Sequence, residues 1–214
     1  MRRGAIILCG GRSRRMGLAK ATLPFGPELM LQRVVRRMGE VVAMRVVVAA
    51  ADQPLPALPP GVRIARDAHE DRGPLEGLAA GLRALAGDAE LVYVTGCDVP
   101  ELAPAFIERM FALCAEHEIA VPTEGEFYHP LAAVYRASLL SRVESLLRED
   151  RLRARELFEL SDTNKVSVES LRAVDPQLAT LENLNHPADY LAALQRAGFE
   201  APAEIIAALQ READ

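Results

Sequence analysis

Short unbroken apolar runs alternate with stretches of helical periodicity along most of this chain. Ala5 to Cys9, Arg45 to Ala50, Val62 to Ala65, Leu91 to Thr95, Ile119 to Val121 and Leu131 to Tyr135 are β-rich and show no apolar–polar alternation. That is the pattern of strands buried on both faces. Between them, Leu29, Val34, Val35 and Met38, then Leu75, Leu78, Leu82 and Leu85, then Phe106, Ile107, Met110, Phe111 and Cys114 recur at helical spacing. Strands alternating with helices predict an α/β fold, a three-layer α/β/α arrangement around a mostly parallel, Rossmann-like sheet. Pro54, Pro56, Pro59 and Pro60 mark an extended surface connection, and Pro104 suits the first turn of a helix. The last third is less regular: helical stretches around Ser138 to Glu149 and Arg153 to Leu160, a short strand at Lys165 to Val168, and helices opening at Pro187 and near Pro202.

Size and composition narrow the class. With 214 residues, half of them hydrophobic, the chain suits one core, so a single domain over residues 1–214 is expected. Its apolar runs fall short of a signal-peptide core and of the ~20 residues of a membrane span, which predicts a cytoplasmic protein with no membrane partner. Cys9, Cys97 and Cys114 are odd in number and widely spaced, which suggests buried thiols in a reducing compartment rather than a disulfide framework or zinc site. A net charge of -5, few aromatics and no Trp argue against a nucleic-acid partner. A small anionic ligand fits better.

Against that acidic background, the opening segment carries only positive side chains up to Glu28. Gly10 and Gly11 follow the first predicted strand and allow a tight turn with backbone amides free to donate, while Arg12, Arg14, Arg15 and Lys20 supply charge. This is the chemistry of a polyphosphate-holding loop, although it matches neither the Walker A pattern nor Gly-x-Gly-x-x-Gly. Asp98 stands in Thr95-Gly96-Cys97-Asp98-Val99-Pro100, where a strand ends and the chain turns. A carboxylate there can hold magnesium beside a triphosphate, since Mg2+ prefers one or two carboxylates plus phosphate oxygens and water; it can equally cap the turn before Pro100. Asp67 ends another strand, and Gly73-Pro74-Leu75-Glu76-Gly77 opens a helix whose free amides suit a base or phosphate. Ligands of open α/β sheets collect at the carboxyl ends of the strands, which brings Gly10, Asp67, Asp98 and the Ala49 to Ala51 loop to one cleft. Phe127-Tyr128-His129-Pro130-Leu131 and Asn183-Leu184-Asn185-His186-Pro187 join polar groups to proline-fixed backbone, making His129, Asn183 and Asn185 candidates for the acceptor side.

Leu8, Gly10, Gly11, Arg15, Met16, Gly17 and Lys20, followed by Leu23-Pro24-Phe25-Gly26, resemble the signature of nucleotidyltransferases with a glycosyltransferase-A-like fold, the nucleotide-diphospho-sugar transferase type. With Gly-Pro-Leu-x-Gly, Cys-Asp-x-Pro, His-Pro-Leu and the Asn183 to Asp189 motif Asn-x-Asn-x-Pro-x-Asp, the chain resembles the molybdenum cofactor guanylyltransferase family from about Ala5 to Tyr190. The resemblance implies transfer of GMP from GTP to the terminal phosphate of molybdopterin carrying molybdenum, giving a guanine dinucleotide cofactor and pyrophosphate. It implies that Leu8, Cys9, Gly10, Lys20, Asp67 and Asp98 bind nucleotide together with Gly11, and that Asp98 also holds Mg2+. Arg15 and Lys20 would neutralise the triphosphate and the attacked α-phosphate. Besides GTP and the molybdopterin cofactor, other proteins of cofactor biosynthesis are candidate partners. Two positions depart from the pattern: Ala19 stands where the family often has an acid, and Ala49-Ala50-Ala51 where it tends to place a base-reading Asn, with Gln53 or backbone groups left to compensate. These departures keep two alternatives open, cytidylyl or other nucleotidyl transfer to a molybdopterin or sugar or polyol phosphate, and a non-catalytic nucleotide-binding protein.

Overall fold

The computed structural model describes residues 1–10, 18–67 and 72–211. Its central strand, β1 (Arg3–Leu8), buries successive apolar side chains and therefore needs cover on both faces. β1 pairs in parallel with β4 (Met44–Ala49) on one side and β6 (Leu91–Gly96) on the other. β5 (Val62–Arg66) lies parallel outside β4. Beyond β6 come β9 (Ala132–Arg136), β7 (Ile119–Glu124) and β10 (Thr163–Ser167), giving the order β10-β7-β9-β6-β1-β4-β5, with β8 (Phe127–Tyr128) folded back on β7.

The expected parallel sheet is present with one reversed strand in this row: β9 runs antiparallel to both β6 and β7. The connection from Gly125 to Leu131 is shorter than the dozen or so residues a parallel crossover needs, so β9 returns alongside β7. The expectation of burial on both faces also fails for Val62 to Ala65. β5 is an edge strand, and Ile64 remains 52% exposed.

Two helical layers complete the core. α1 (Met30–Gly39) and α3 (Pro104–Leu113) cover the face that carries Ala5, Ile7, Val47 and Tyr93. α2 (Pro74–Ala84), α4 (Leu140–Arg148) and α5 (Ala154–Glu159) cover the face with Ile6, Val46, Val48 and Val94. Leu29 belongs to a short hairpin rather than to α1, β2 (Pro24–Phe25) with β3 (Glu28–Leu29). α2 approaches β1 closely because it presents glycine there: a Cβ on Gly81 would lie 2.6 Å from Ile6 Cδ1, and one on Gly77 would lie 2.9 Å from Leu8 Cδ2.

Following the short α6 (Val168–Leu171), the C-terminal helices α7 (Pro187–Arg196) and α8 (Ala203–Arg211) build a separate apolar cluster with the β2–β3 hairpin. Tyr190 donates its hydroxyl to the Pro24 carbonyl at 2.5 Å, and Phe25 meets the Phe199 ring edge-on at 5.9 Å. Fully burying large side chains such as Phe25 and Tyr190 stabilises the fold by ~1.5–3 kcal/mol each. This cluster draws residues 183–186 towards Lys20, which lies just before the hairpin.

The chain order creates a crevice. From β1 it runs outward through α1 to β4 and β5, then crosses through α2 to β6 on the opposite side of β1. The direction of winding therefore changes between β1 and β6, where open α/β sheets bind ligands. Among the described residues, no helix is long and apolar enough to cross a membrane.

Candidate active site

A cleft of about 770 Å³ opens at that switch point. Leu8, Cys9 and Gly10 enter it from β1, and Gly96, Cys97 and Asp98 from β6. The strand register sets Leu8 opposite Gly96, and the pairing continues one step further as Cys97 N–H donates to Leu8 O at 2.9 Å. Asp67 arrives from the end of β5, its N–H donating to Ala49 O at 2.9 Å. Gly73, with φ +73°, turns the chain into α2, and Pro74 occupies the first helical position, where its missing N–H costs nothing.

Lys20 and Asp98 form the charged centre. Lys20 Nζ stands 2.7 Å from Asp98 Oδ2, and their side chains are 15% and 13% exposed. Two asparagines complete the group: Asn183 Nδ2 donates to Asp98 Oδ1 at 3.1 Å, and Lys20 Nζ donates to Asn185 Oδ1 at 2.8 Å. Backbone bonds fix this arrangement. Leu184 N–H donates to Asp98 O at 3.0 Å, while Asn185 and His186 N–H donate to Asp189 Oδ2 at 3.1 and 2.8 Å. In the Asn183 to Asp189 motif, the asparagines therefore face the cleft chemistry and Asp189 caps α7. Glycine at 96 leaves the Asp98 carboxylate its place, because a Cβ there would press on Asp98 Oδ1.

Asp67 presents different electrostatics. Among the described residues its Oδ1 is buried without a hydrogen-bond partner, and burial followed by the nearby Glu76 charge raises its pKa above the ordinary carboxylate value. A Cβ on Gly10 would lie 3.1 Å from Asp67 Oδ2, so glycine lets the backbone and this carboxylate come close. An ionised carboxylate in this position favours a ligand that brings N–H or O–H donors or a cation.

The Cys97 thiol at the cleft floor lacks a nucleophile's environment. It is held protonated by a hydrogen bond with Cys9 and by burial. Gln53 braces the same floor, donating from Nε2 to Cys9 O at 2.9 Å and accepting Ala50 N–H at 3.3 Å. The Ala49 to Ala51 loop is thus tied to β1 through Gln53.

The acceptor candidates separate. Asn183 and Asn185 line the main cleft, whereas His129 lines an adjoining cavity of about 160 Å³ that shares Leu131 and Asn183 with it. His129 packs against the exposed Phe127 ring at 4.9 Å, its Nε2 is buried without a partner among the described residues, and burial lowers its pKa. It is neutral at pH 7, an orienting group rather than a cation. Arg72 was not singled out from the sequence, yet it lines the cleft beside Gly73 and donates to Leu147 O and Asp150. Its position depends on a contact with α4, which no local motif signals. Gly11 and Arg15 lie outside the described residues.

Among the described residues, no three His, Cys, Asp or Glu side chains group to cage a metal. The donor set still fits a hard dication bound chiefly through substrate phosphates, with Asp98 as the protein carboxylate and Asp67 across the cleft.

Comparisons with known proteins match this geometry. The family profile described as MobA-like NTP transferase domain matches residues 5–166. A probable molybdenum cofactor guanylyltransferase of Pelotomaculum thermopropionicum is 34% identical over 189 residues, covering 88% of this chain and 90% of its own. One from Mycobacterium tuberculosis is 36% identical over 195 residues, covering 89% and 92%. Among solved structures, the molybdopterin-guanine dinucleotide biosynthesis protein A of Archaeoglobus fulgidus superposes with a TM-score of 0.75 at 21% identity, covering 92% of this chain and 98% of its own. The 2-C-methyl-D-erythritol 4-phosphate cytidylyltransferase of Thermus thermophilus shares the fold with a TM-score of 0.65 at 19% identity, covering 92% and 100%. The cleft at the β1–β6 switch point, its Lys20–Asp98 centre and these relatives agree: the chain belongs to the MobA-like NTP transferases, the nucleotidyltransferase family of the molybdenum cofactor guanylyltransferases.

Proposed function

We propose that this protein transfers GMP from GTP to the terminal phosphate of molybdopterin carrying molybdenum, with Mg2+ as its metal, in the cytoplasm. The observation that carries the reading is the Lys20–Asp98 pair beside Gly10 at the switch-point crevice. The acceptor phosphate oxygen attacks the α-phosphorus of GTP, a P–O bond forms there, and the bond to the β-phosphate breaks to release pyrophosphate. A phosphate nucleophile is largely ionised at neutral pH, since its second pKa is ~6, so no protein base is required. The residues supply position and charge. Lys20 neutralises phosphate oxygens, and Gly10 lets the chain come close to them. Asp67 accepts hydrogen bonds from the nucleotide. Asp98 would hold Mg2+, which when bound neutralises the triphosphate. Asn183 stands between the two cavities, and the neutral His129 faces the acceptor. Arg15 and Gly11 complete the phosphate loop in this reading.

Base choice is the specific point at which a second reading enters. Gln53 already spends its amide on Cys9 O, Cys9 Sγ and Ala50 N–H, which leaves it chiefly one lone pair of its oxygen to read a base. Cytidylyl transfer is the competing outcome. The test is titration calorimetry with GTP, CTP, ATP and UTP in magnesium, joined to pyrophosphate release with molybdopterin. Preferred GTP binding with acceptor-dependent release is expected. Preference for CTP would replace the guanylyl assignment, and binding without release would leave a non-catalytic binder.

A further inference from the structure

Both oxygens of Asp98 are already engaged. Its Oδ2 holds the Lys20 ammonium at 2.7 Å and its Oδ1 accepts Asn183 Nδ2 at 3.1 Å. A carboxylate offers about four lone-pair sites, so space alone does not forbid a further ligand. Charge opposes it: a dication seated ~2.1 Å from a carboxylate oxygen would lie close to an ammonium on the same group, in a cleft that partly excludes water.

Lys20 has somewhere else to go. Its ammonium also donates to Asn185 Oδ1 at 2.8 Å, and that residue is fixed by its own N–H to Asp189 and by the Leu184 bond to Asp98 O. An amide oxygen is neutral, so it anchors the ammonium without competing for the metal. We propose that Lys20 and the divalent cation are alternative occupants of Asp98, and that Asn185 is the positioning residue that retains Lys20 as it swings from the carboxylate to the nucleotide phosphates. The inference rests on the nucleotidyltransferase reading of the cleft. Two consequences follow from it: metal binds the nucleotide-free protein weakly, and nucleotide and metal load together because the phosphates draw Lys20 away from Asp98.

Manganese binding to the full chain, followed by electron paramagnetic resonance without nucleotide, tests this directly. Wild-type protein should bind Mn2+ weakly. Lys20→Met and the polar Lys20→Gln should each bind at least ~10-fold more tightly, a change of ~1.4 kcal/mol. Adding Asp98→Asn to either variant should abolish the gain. Circular dichroism of all variants confirms that they fold, and wild-type binding needs no variant. Tight Mn2+ binding by nucleotide-free wild type would overturn the proposal. So would a gain below ~10-fold in both Lys20 variants, because through-space loss of one charge would then suffice. Pyrophosphate release by wild type tests the enzymatic reading separately, so either idea can fail without the other.

Discussion

Asp67→Asn should make the nucleotide-free protein more stable and a poorer nucleotide binder. The buried Oδ1 has no partner among the described residues, and the carboxylate faces the charge of Glu76, itself buried. Asparagine keeps the shape, removes the charge and turns an N–H towards an acidic neighbour. An unsatisfied buried polar group costs ~1–3 kcal/mol, and Asp67 is only half-buried, so the lower end, ~1 kcal/mol, is appropriate. For a chain of this size that corresponds to a rise in Tm of ~2–4 °C. The pH dependence fixes the sign. Because the folded pKa lies above the ordinary 3.8, Asp67 contributes stability that is fully present below 3.8 and is lost as pH rises through the folded value. The variant's advantage should therefore be complete at neutral pH and vanish as the pH approaches 3.8. In the complex the order reverses, since hydrogen bonds from ligand to an ionised acceptor contribute ~1.5–3 kcal/mol, or ~10- to 150-fold in Kd. Differential scanning calorimetry from pH 3.5 to 7.5 and GTP titration of both proteins are the assays. A lower Tm at neutral pH, or an unchanged GTP affinity, would refute the assignment of Asp67 as an acceptor held ready for nucleotide.

Asp98→Ala should abolish metal-dependent pyrophosphate release, by ~100-fold or more, with the far-ultraviolet circular dichroism unchanged; retained magnesium-dependent turnover would exclude Asp98 as the metal carboxylate. Gly81→Ala should lower Tm although alanine is the better helix former by ~1 kcal/mol, because the added methyl meets the fully buried Ile6 and overpacking costs ~1–3 kcal/mol. Cys97 and Cys114, the latter raised by burial to about 11, should resist iodoacetamide at pH 8 until the protein is unfolded, as followed by intact mass.

Much of the fold is legible in the sequence because buried parallel strands require continuous apolar runs and their covering helices require periodic ones. Ala5 to Cys9 and Leu91 to Thr95 meet the first condition, and Leu75 to Leu85 the second. Val62 to Ala65 shows the limit: an edge strand and a central strand of the same composition look alike when the neighbour that would cover them is unknown. The reversal of β9 was implicit in the short connection from Gly125 to Leu131, a topological signal that the apolar pattern does not carry. At the site, Gly10, Ala50, Asp67 and Asp98 converge as their positions at strand ends suggested, and Lys20 joins them from beyond the glycine turn. The partnership of Asn185 with Lys20 was not legible, because it spans 165 positions and depends on α7 packing against the β2–β3 hairpin.

That packing ties the C-terminal helices to the geometry of the cleft. Lys20 leads directly into Leu23, Phe25 and Met30, which share a cluster with Leu184, Tyr190 and Leu194. One apolar assembly therefore sets the spacing between Lys20 and the loop that carries Asn183 and Asn185. Loosening it should disturb the site before it disturbs the sheet, whose two main clusters contain none of these residues. The Tyr190 hydroxyl, bonded to Pro24 O, is the polar point of that contact. Tyr190→Phe keeps the ring and deletes one hydrogen bond, leaving the Pro24 carbonyl to find another donor, at a cost of ~1 kcal/mol. If the cluster acts as the spacer between Lys20 and Asn185, this variant must lose nucleotide affinity beyond what its small stability change accounts for. Equal nucleotide affinity in the two proteins would assign the cluster to folding alone.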